Sequence, residues 1–267
     1  MKKLLILGLT LTLTSSVSAY TLNTVAESGA RWRSFPVSMK LNPTNSGLTD
    51  AEVQRVISSA MGKWNTGTAI DMLDVSSVDH SVTSATGMNM DGVNSITFSK
   101  SFREDSNGFD PDVTVAVGGQ YGDGDTMVDA FIIFNAESVV WSTDKVNNAN
   151  RSISYGDDLE TIALHELGHV LGLGHTTVSG AVMNATRTSK TVRELSQDDI
   201  EGGQYLANSG ASGSGSSSSS NASKTAGCGS ITNNTSNSTS NIGGMGLMML
   251  LPLSILIFAR RKAEATN

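Results

Sequence analysis

One cysteine in 267 residues excludes an intrachain disulfide, and with it every disulfide-stapled scaffold. It equally excludes a structural zinc module built from four cysteines, or from two cysteines and two histidines. Aromatic residues are scarce at 5%, and hydrophobic residues reach only 38%, a polar average for a chain that would fold along its whole length. An excess of positive charge is also missing. The formal net charge is −7, which argues against a nucleic-acid partner, since such a binder normally presents a basic face. These averages conceal four unlike segments.

Residues 1–19 read as a secretory signal peptide. Lys2 and Lys3 open it, Leu4 to Leu13 are apolar, and Val17-Ser18-Ala19 is a small-residue cleavage site, so the mature chain is expected to begin near Tyr20. Residues 208–241 are almost entirely Ser, Asn, Gly, Thr and Ala, with little apolar surface to offset ordering, and read as a flexible stalk. Cys228 lies there. It reads as a free thiol, or as a processing or lipid-attachment point, because Thr225-Ala226-Gly227-Cys228 looks like a misplaced lipobox. In residues 242–267, Gly243-Gly244 precedes an apolar run from Met245 to Ala259 that is closed by Arg260-Arg261-Lys262. The run is short for a membrane span, and the basic cluster would sit on the cytoplasmic side. This end resembles bacterial sorting tags of the GlyGly-CTERM type, which a membrane protease removes. The expected partners at this end are therefore the membrane or such a protease.

What remains, residues 20–207, carries 12 Lys+Arg against 24 Asp+Glu, a net charge of −12. Leu48 to Trp64 places Val53, Val56, Ile57, Ala60, Met61 and Trp64 on one helical face, and Thr49 with Glu52 forms a capping box. Val37 to Leu41, Asn94 to Ser99, Val113 to Val117 and Val128 to Phe134 read as strands, the third stopping at Gly118-Gly119. Asp157 and Glu160 are expected to cap a second helix that ends at Gly172, and Ser196 with Asp199 a third that ends near Leu206. The pattern predicts an α+β domain: a mixed, twisted sheet of about five strands with three helices packed on it.

The segment His165-Glu166-Leu167-Gly168-His169-Val170-Leu171-Gly172-Leu173-Gly174-His175 carries the chemistry. His165 and His169, at i and i+4, share one helical face and can turn their ring nitrogens towards one metal ion. Gly172 permits the left-handed turn that would bring His175 back as a third nitrogen. Three protein ligands leave a fourth tetrahedral position open for water, as in a catalytic zinc site. Glu166, beside the first ligand, is placed to act on that water as general base.

Those eleven residues resemble the metzincin metalloproteases, and their surroundings resemble the matrixin (peptidase M10-like) branch in its bacterial form. Thr176 follows the third histidine, where matrixins usually have Ser. Ser179-Gly180-Ala181-Val182-Met183 looks like the Met-turn, with Met183 beneath the metal. Val128 to Asn135 resembles the family's last strand, and Arg193 to Ile200 the start of its last helix. The resemblance implies a metzincin-like zincin domain, one catalytic Zn2+ on His165, His169 and His175, and a secreted or cell-surface endopeptidase acting on extracellular proteins. It implies that a substrate peptide pairs with an open sheet edge near Val113 to Val117, with Asn184 to Thr191 walling the adjoining pocket. Family calcium sites point to Asp123, Asp125 and Asp129 as candidate Ca2+ ligands, although turn formation accounts for these residues equally well. No cysteine precedes the active site, so latency through a prodomain cysteine is not expected, and His80 reads as a surface residue. The competing reading is a surface-anchored adhesin or binding module on an inactive metzincin-like scaffold.

Overall fold

The computed structural model describes residues 19–84, 88, 90–144, 157–185, 191–211 and 225–232, the last stretch as backbone. The elements, in chain order, are α1 (Thr24–Glu27), β1 (Val37–Leu41), α2 (Asp50–Thr68), β2 (Leu73–Val78), β3 (Ser95–Ser99), α3 (Phe102–Asp105), β4 (Thr114–Asp123), β5 (Thr126–Asn135), β6 (Trp141–Ser142), β7 (Asp157–Asp158), α4 (Leu159–Leu171), α5 (Gln197–Ala211) and β8 (Thr225–Thr232). The chain divides into one unit up to Asn234 and a remainder, 235–267, that lies outside the described residues. So do the expected signal peptide up to residue 18 and the expected C-terminal tag. No described helix is long and apolar enough to cross a membrane.

The α+β expectation holds. In α2 the Thr49 side chain accepts from the Glu52 N–H and the Glu52 carboxylate accepts from the Thr49 N–H, so two otherwise orphaned amides at the helix start are satisfied. All six predicted core positions of this helix are buried. The sheet runs β2-β1-β3-β5-β4-β8. The pairs β2/β1, β1/β3 and β3/β5 are parallel, and β5/β4 and β4/β8 antiparallel. Central strand β3 is buried throughout. Along β5 the side chains alternate: Ala130, Ile132 and Phe134 join the main core, whereas Phe131 and Ile133 join a smaller cluster with Phe102 and Val117. The sheet is therefore covered on both faces, and α4 lies in the larger core with all thirteen residues buried.

Several elements differ from expectation. Two one-turn helices, α1 and α3, accompany the three long ones. Strand β2 was not anticipated, because of its six residues only Leu73 is buried and the alternation that marks a strand is faint. Asp158, not Asp157, caps α4. Strand β4 does not stop at Gly118-Gly119 but runs through them to Asp123, and α5 continues past Ala207 into the expected stalk. The largest difference lies within that stalk. Residues Thr225–Thr232 form β8 and pair along β4 from Thr114 to Gly122, so the sheet edge expected to be open is occupied by the chain itself. Main-chain pairing needs no apolar side-chain pattern, and for this reason the composition gave no sign of it.

Candidate metal centre and catalytic site

Helix α4 presents His165 and His169 one turn apart, and its C-cap Gly172 adopts φ 118°, a left-handed conformation that turns the chain back towards His175. The His165 and His169 Nε2 atoms are 3.0 Å apart, those of His165 and His175 3.1 Å, and those of His169 and His175 3.2 Å. The far side of two rings is fixed: His165 Nδ1 lies 2.7 Å from the Val182 carbonyl and His169 Nδ1 2.8 Å from that of Leu173. A carbonyl oxygen only accepts, so each Nδ1 carries the proton and each Nε2 keeps a bare lone pair. Burial pushes all three imidazoles towards the neutral form. His165 falls well below its ordinary value, helped by its two neighbours; His169 drops to about 3, helped by His175; and His175 falls as well.

Two bare Nε2 lone pairs, with a third Nε2 beside them, suit a cation. A tetrahedral zinc with Zn–N near 2.0–2.1 Å separates its ligands by roughly 3.3 Å, close to the spacing seen here. The residues present therefore fit the ion. Among the described residues this triad is the one group of three or more His, Cys, Asp or Glu side chains close enough to share a metal.

Glu166 is fully buried, and neither carboxylate oxygen has a hydrogen-bond partner. Burial raises its pKa well above the ordinary carboxylate range. Its carboxylate rests against β4 at Gly118, where a Cβ would stand 2.8 Å from Oε2. The second of the two glycine roles at this site belongs to Gly168, where a side chain would overlap the Met183 sulfur. Met183 is buried, with its sulfur against α4 at Gly168.

The turn is held by a residue that the sequence reading assigned only to capping. The Asp199 carboxylate accepts from the Val182 N–H at 2.9 Å and the Met183 N–H at 3.0 Å, and also from the Ser196 N–H and hydroxyl at 2.8 and 2.7 Å. Residues 21–23, also missed, seat the loop that carries His175. The Thr21 hydroxyl donates to the His175 carbonyl at 2.6 Å, Gly174 N–H donates to Thr21 O at 2.9 Å, and Asn23 N–H donates to Gly172 O at 2.9 Å. No sequence signal marks these contacts, because they join segments about 150 residues apart.

The three aspartates suggested for calcium are not brought together. Asp125 pairs with Arg33 at 2.5 Å, and this pairing lowers its pKa. Asp129 is buried and accepts from the Asp91 and Gly92 amides, both at 2.8 Å, with burial raising its pKa. Asp123 ends β4 at the hairpin, opposite Thr126. The expected pocket wall falls largely on residues 186–190, outside the described residues. His80 is exposed as expected, with Nε2 2.9 Å from Asp50 and Nδ1 3.0 Å from the Thr44 hydroxyl.

Comparison with known proteins agrees with this geometry. The chain is 30% identical to Metalloendoproteinase 2-MMP of Arabidopsis thaliana over 169 residues, 58% of this chain and 37% of that protein. It is 27% identical to Matrix metalloproteinase-25 of Homo sapiens over 192 residues, 68% and 30% of the two chains. Against human Stromelysin-3 it reaches 51% over 51 residues, 19% of this chain and 10% of that one. The chain thus spans well under half the length of these relatives. The profile of peptidase M10, matrixin, matches residues 31–207, more than half of the chain and all of the metal centre. The protein belongs to the matrixin family.

Proposed function

We propose that this chain is a zinc-dependent endopeptidase, secreted or held at the cell surface, that hydrolyses peptide bonds of extracellular proteins with Glu166 as general base. The observation that carries the reading is the buried, unpartnered Glu166 carboxylate one residue from a convergent histidine triad. His165, His169 and His175 would hold the ion, and Met183 and Asp199 would keep its floor in place. Zinc, when bound, supplies Lewis acidity towards both the attacking water and the scissile carbonyl. Glu166 accepts the proton of the water on a carboxylate oxygen and delivers it to the leaving nitrogen. Calcium would be an accessory ion at most, since Asp125 and Asp129 already have protein partners.

The signal peptide and C-terminal tag complete the proposal by placing the domain outside the cell. The test is cleavage of mixed peptides by the zinc-loaded chain, with a hydroxamate control and the Glu166→Ala variant. Glu166→Ala is expected to bind zinc normally and to lose about 10²–10⁴-fold in turnover. Full activity in that variant would falsify the mechanism. Stoichiometric zinc with no turnover in the parent would favour the binding-module reading.

A further inference from the structure

Strand β4 has two hydrogen-bonding edges. One is paired with β5, and the other is the edge that the endopeptidase reading assigns to an extended substrate peptide. That second edge lies near Glu166: the face of β4 packs on the Glu166 carboxylate at Gly118, and the helix that carries Glu166 touches β8 as well as β4. Strand β8 lies on this edge. Gly229 stands opposite Gly118, Cys228 opposite Gly119 and Ser230 opposite Val117, and the pairing extends from Thr114 to Gly122. Both α1 and the metal-site helix α4 flank the added strand. A strand edge accepts one partner at a time, so a substrate cannot pair there while β8 is in place.

We propose that Thr225–Thr232 is a built-in peptide occupying the substrate-pairing edge of β4, so that the chain restrains its own site until this tail strand is withdrawn or cut. The proposal rests on the endopeptidase reading above. Its chemistry is that of main-chain augmentation, in which the ladder supplies the binding and the side chains supply selectivity. Thr225-Ala226-Gly227-Cys228-Gly229-Ser230-Ile231-Thr232 carries no charge, so nothing in it opposes docking on an acidic domain. The tether is short. Residues 212–224 reach at most about 45 Å when fully extended. If the docked form outweighs the open one about tenfold, apparent substrate affinity falls about tenfold, because only the open fraction binds.

The experiment compares the full chain with a Cys228→Pro/Gly229→Pro double variant. Adjacent residues of a strand direct their N–H groups to opposite sides, so one of the two prolines necessarily removes a donor facing β4. Ser230→Pro serves as a second variant. Three quantities are read: amide hydrogen exchange over 114–122 and 225–232, binding of a synthetic fluorescent peptide of residues 224–233, and turnover of a quenched peptide. The parent is expected to exchange at least tenfold more slowly over both segments and to reject the added peptide. The variants are expected to bind that peptide and to show about a tenfold higher kcat/KM, mostly through KM. Equal exchange, or equal peptide binding, in parent and variants would overturn the occupancy. Unequal exchange with equal turnover would overturn the restraint. Exchange and peptide binding need no catalysis, so a chain inert on every substrate would sink the peptidase reading while the tail is judged on those two measurements alone.

Discussion

Two carbonyl oxygens, those of Val182 and Leu173, decide what the histidines can do. By taking the Nδ1 protons they leave the Nε2 lone pairs facing one another, and burial keeps the rings neutral far below pH 6.5. Nitrogens so placed suit a divalent ion. Zinc at about a hundred times its Kd is expected to add roughly 2.7 kcal/mol of stability. For a domain of this size that corresponds to a rise in Tm of about 5–10 °C. Calorimetry of the zinc-loaded and chelated chain checks this, and His169→Ala is expected to abolish the difference. Gly168→Ala drives a methyl into the Met183 sulfur and the Trp64 ring, at an expected loss of about 1–3 kcal/mol in urea unfolding. Asp199→Asn replaces one acceptor oxygen by an amide that donates, set against at least one of the N–H groups that the carboxylate accepts from, and is expected to cost about 1–3 kcal/mol. The convergence of the three histidines was legible in the sequence because all three lie within one short motif. The hold of Asp199 on the Met-turn was not, since an aspartate in a first helical turn already has an ordinary explanation.

Helix α4 is pinned along its whole length. Trp32 and Trp64 donate their indole N–H groups to the carbonyls of Val170 and Leu164 at 2.8 and 3.0 Å. At its start, Arg193 pairs with Asp158 and, at 2.8 Å, with Glu160, while Lys63 and Ser59 of α2 each reach Glu160 at 2.8 Å. Burial raises the Glu160 pKa, but these partners outweigh it and the net shift is downward. A depressed carboxylate pKa contributes stability that is present above the unfolded value, near 4.5, and lost as the pH falls through the lower folded value. Arg193→Met leaves Asp158 and Glu160 buried with too little positive charge. It is expected to cost about 3–5 kcal/mol at neutral pH and to move the onset of acid unfolding upward, which urea midpoints measured against pH would show. The capping box of α2 and the turn after α4 were readable because each is written in neighbouring residues. The sequence reading stopped β4 at its glycines, of which Gly118 lets Glu166 approach. Strand β8 was invisible because a Gly/Ser/Ala stretch carries no pattern that depends on burial.

At the scale of the molecule, the two ends of the described chain come together near the histidine triad, with α1 and α4 both against β8. Residues 21–23 buttress the loop of His175, and 225–232 close the far edge of the sheet. The α+β class and the core-forming helices were predictable from periodicity, whereas this convergence depends on contacts between distant segments that no local pattern encodes. The closed edge has a consequence apart from catalysis. An unpaired strand that contains Thr-Val-Ala-Val is a template for other chains, and proteins blunt such edges to stay monomeric. With the tail withdrawn, β4 would offer its ladder to a neighbouring molecule as readily as to a substrate. The proline variants are therefore expected to associate as their concentration rises, while the parent does not, a contrast that light scattering would reveal. A segment whose composition reads as a mere spacer would then also govern the colloidal behaviour of the whole protein.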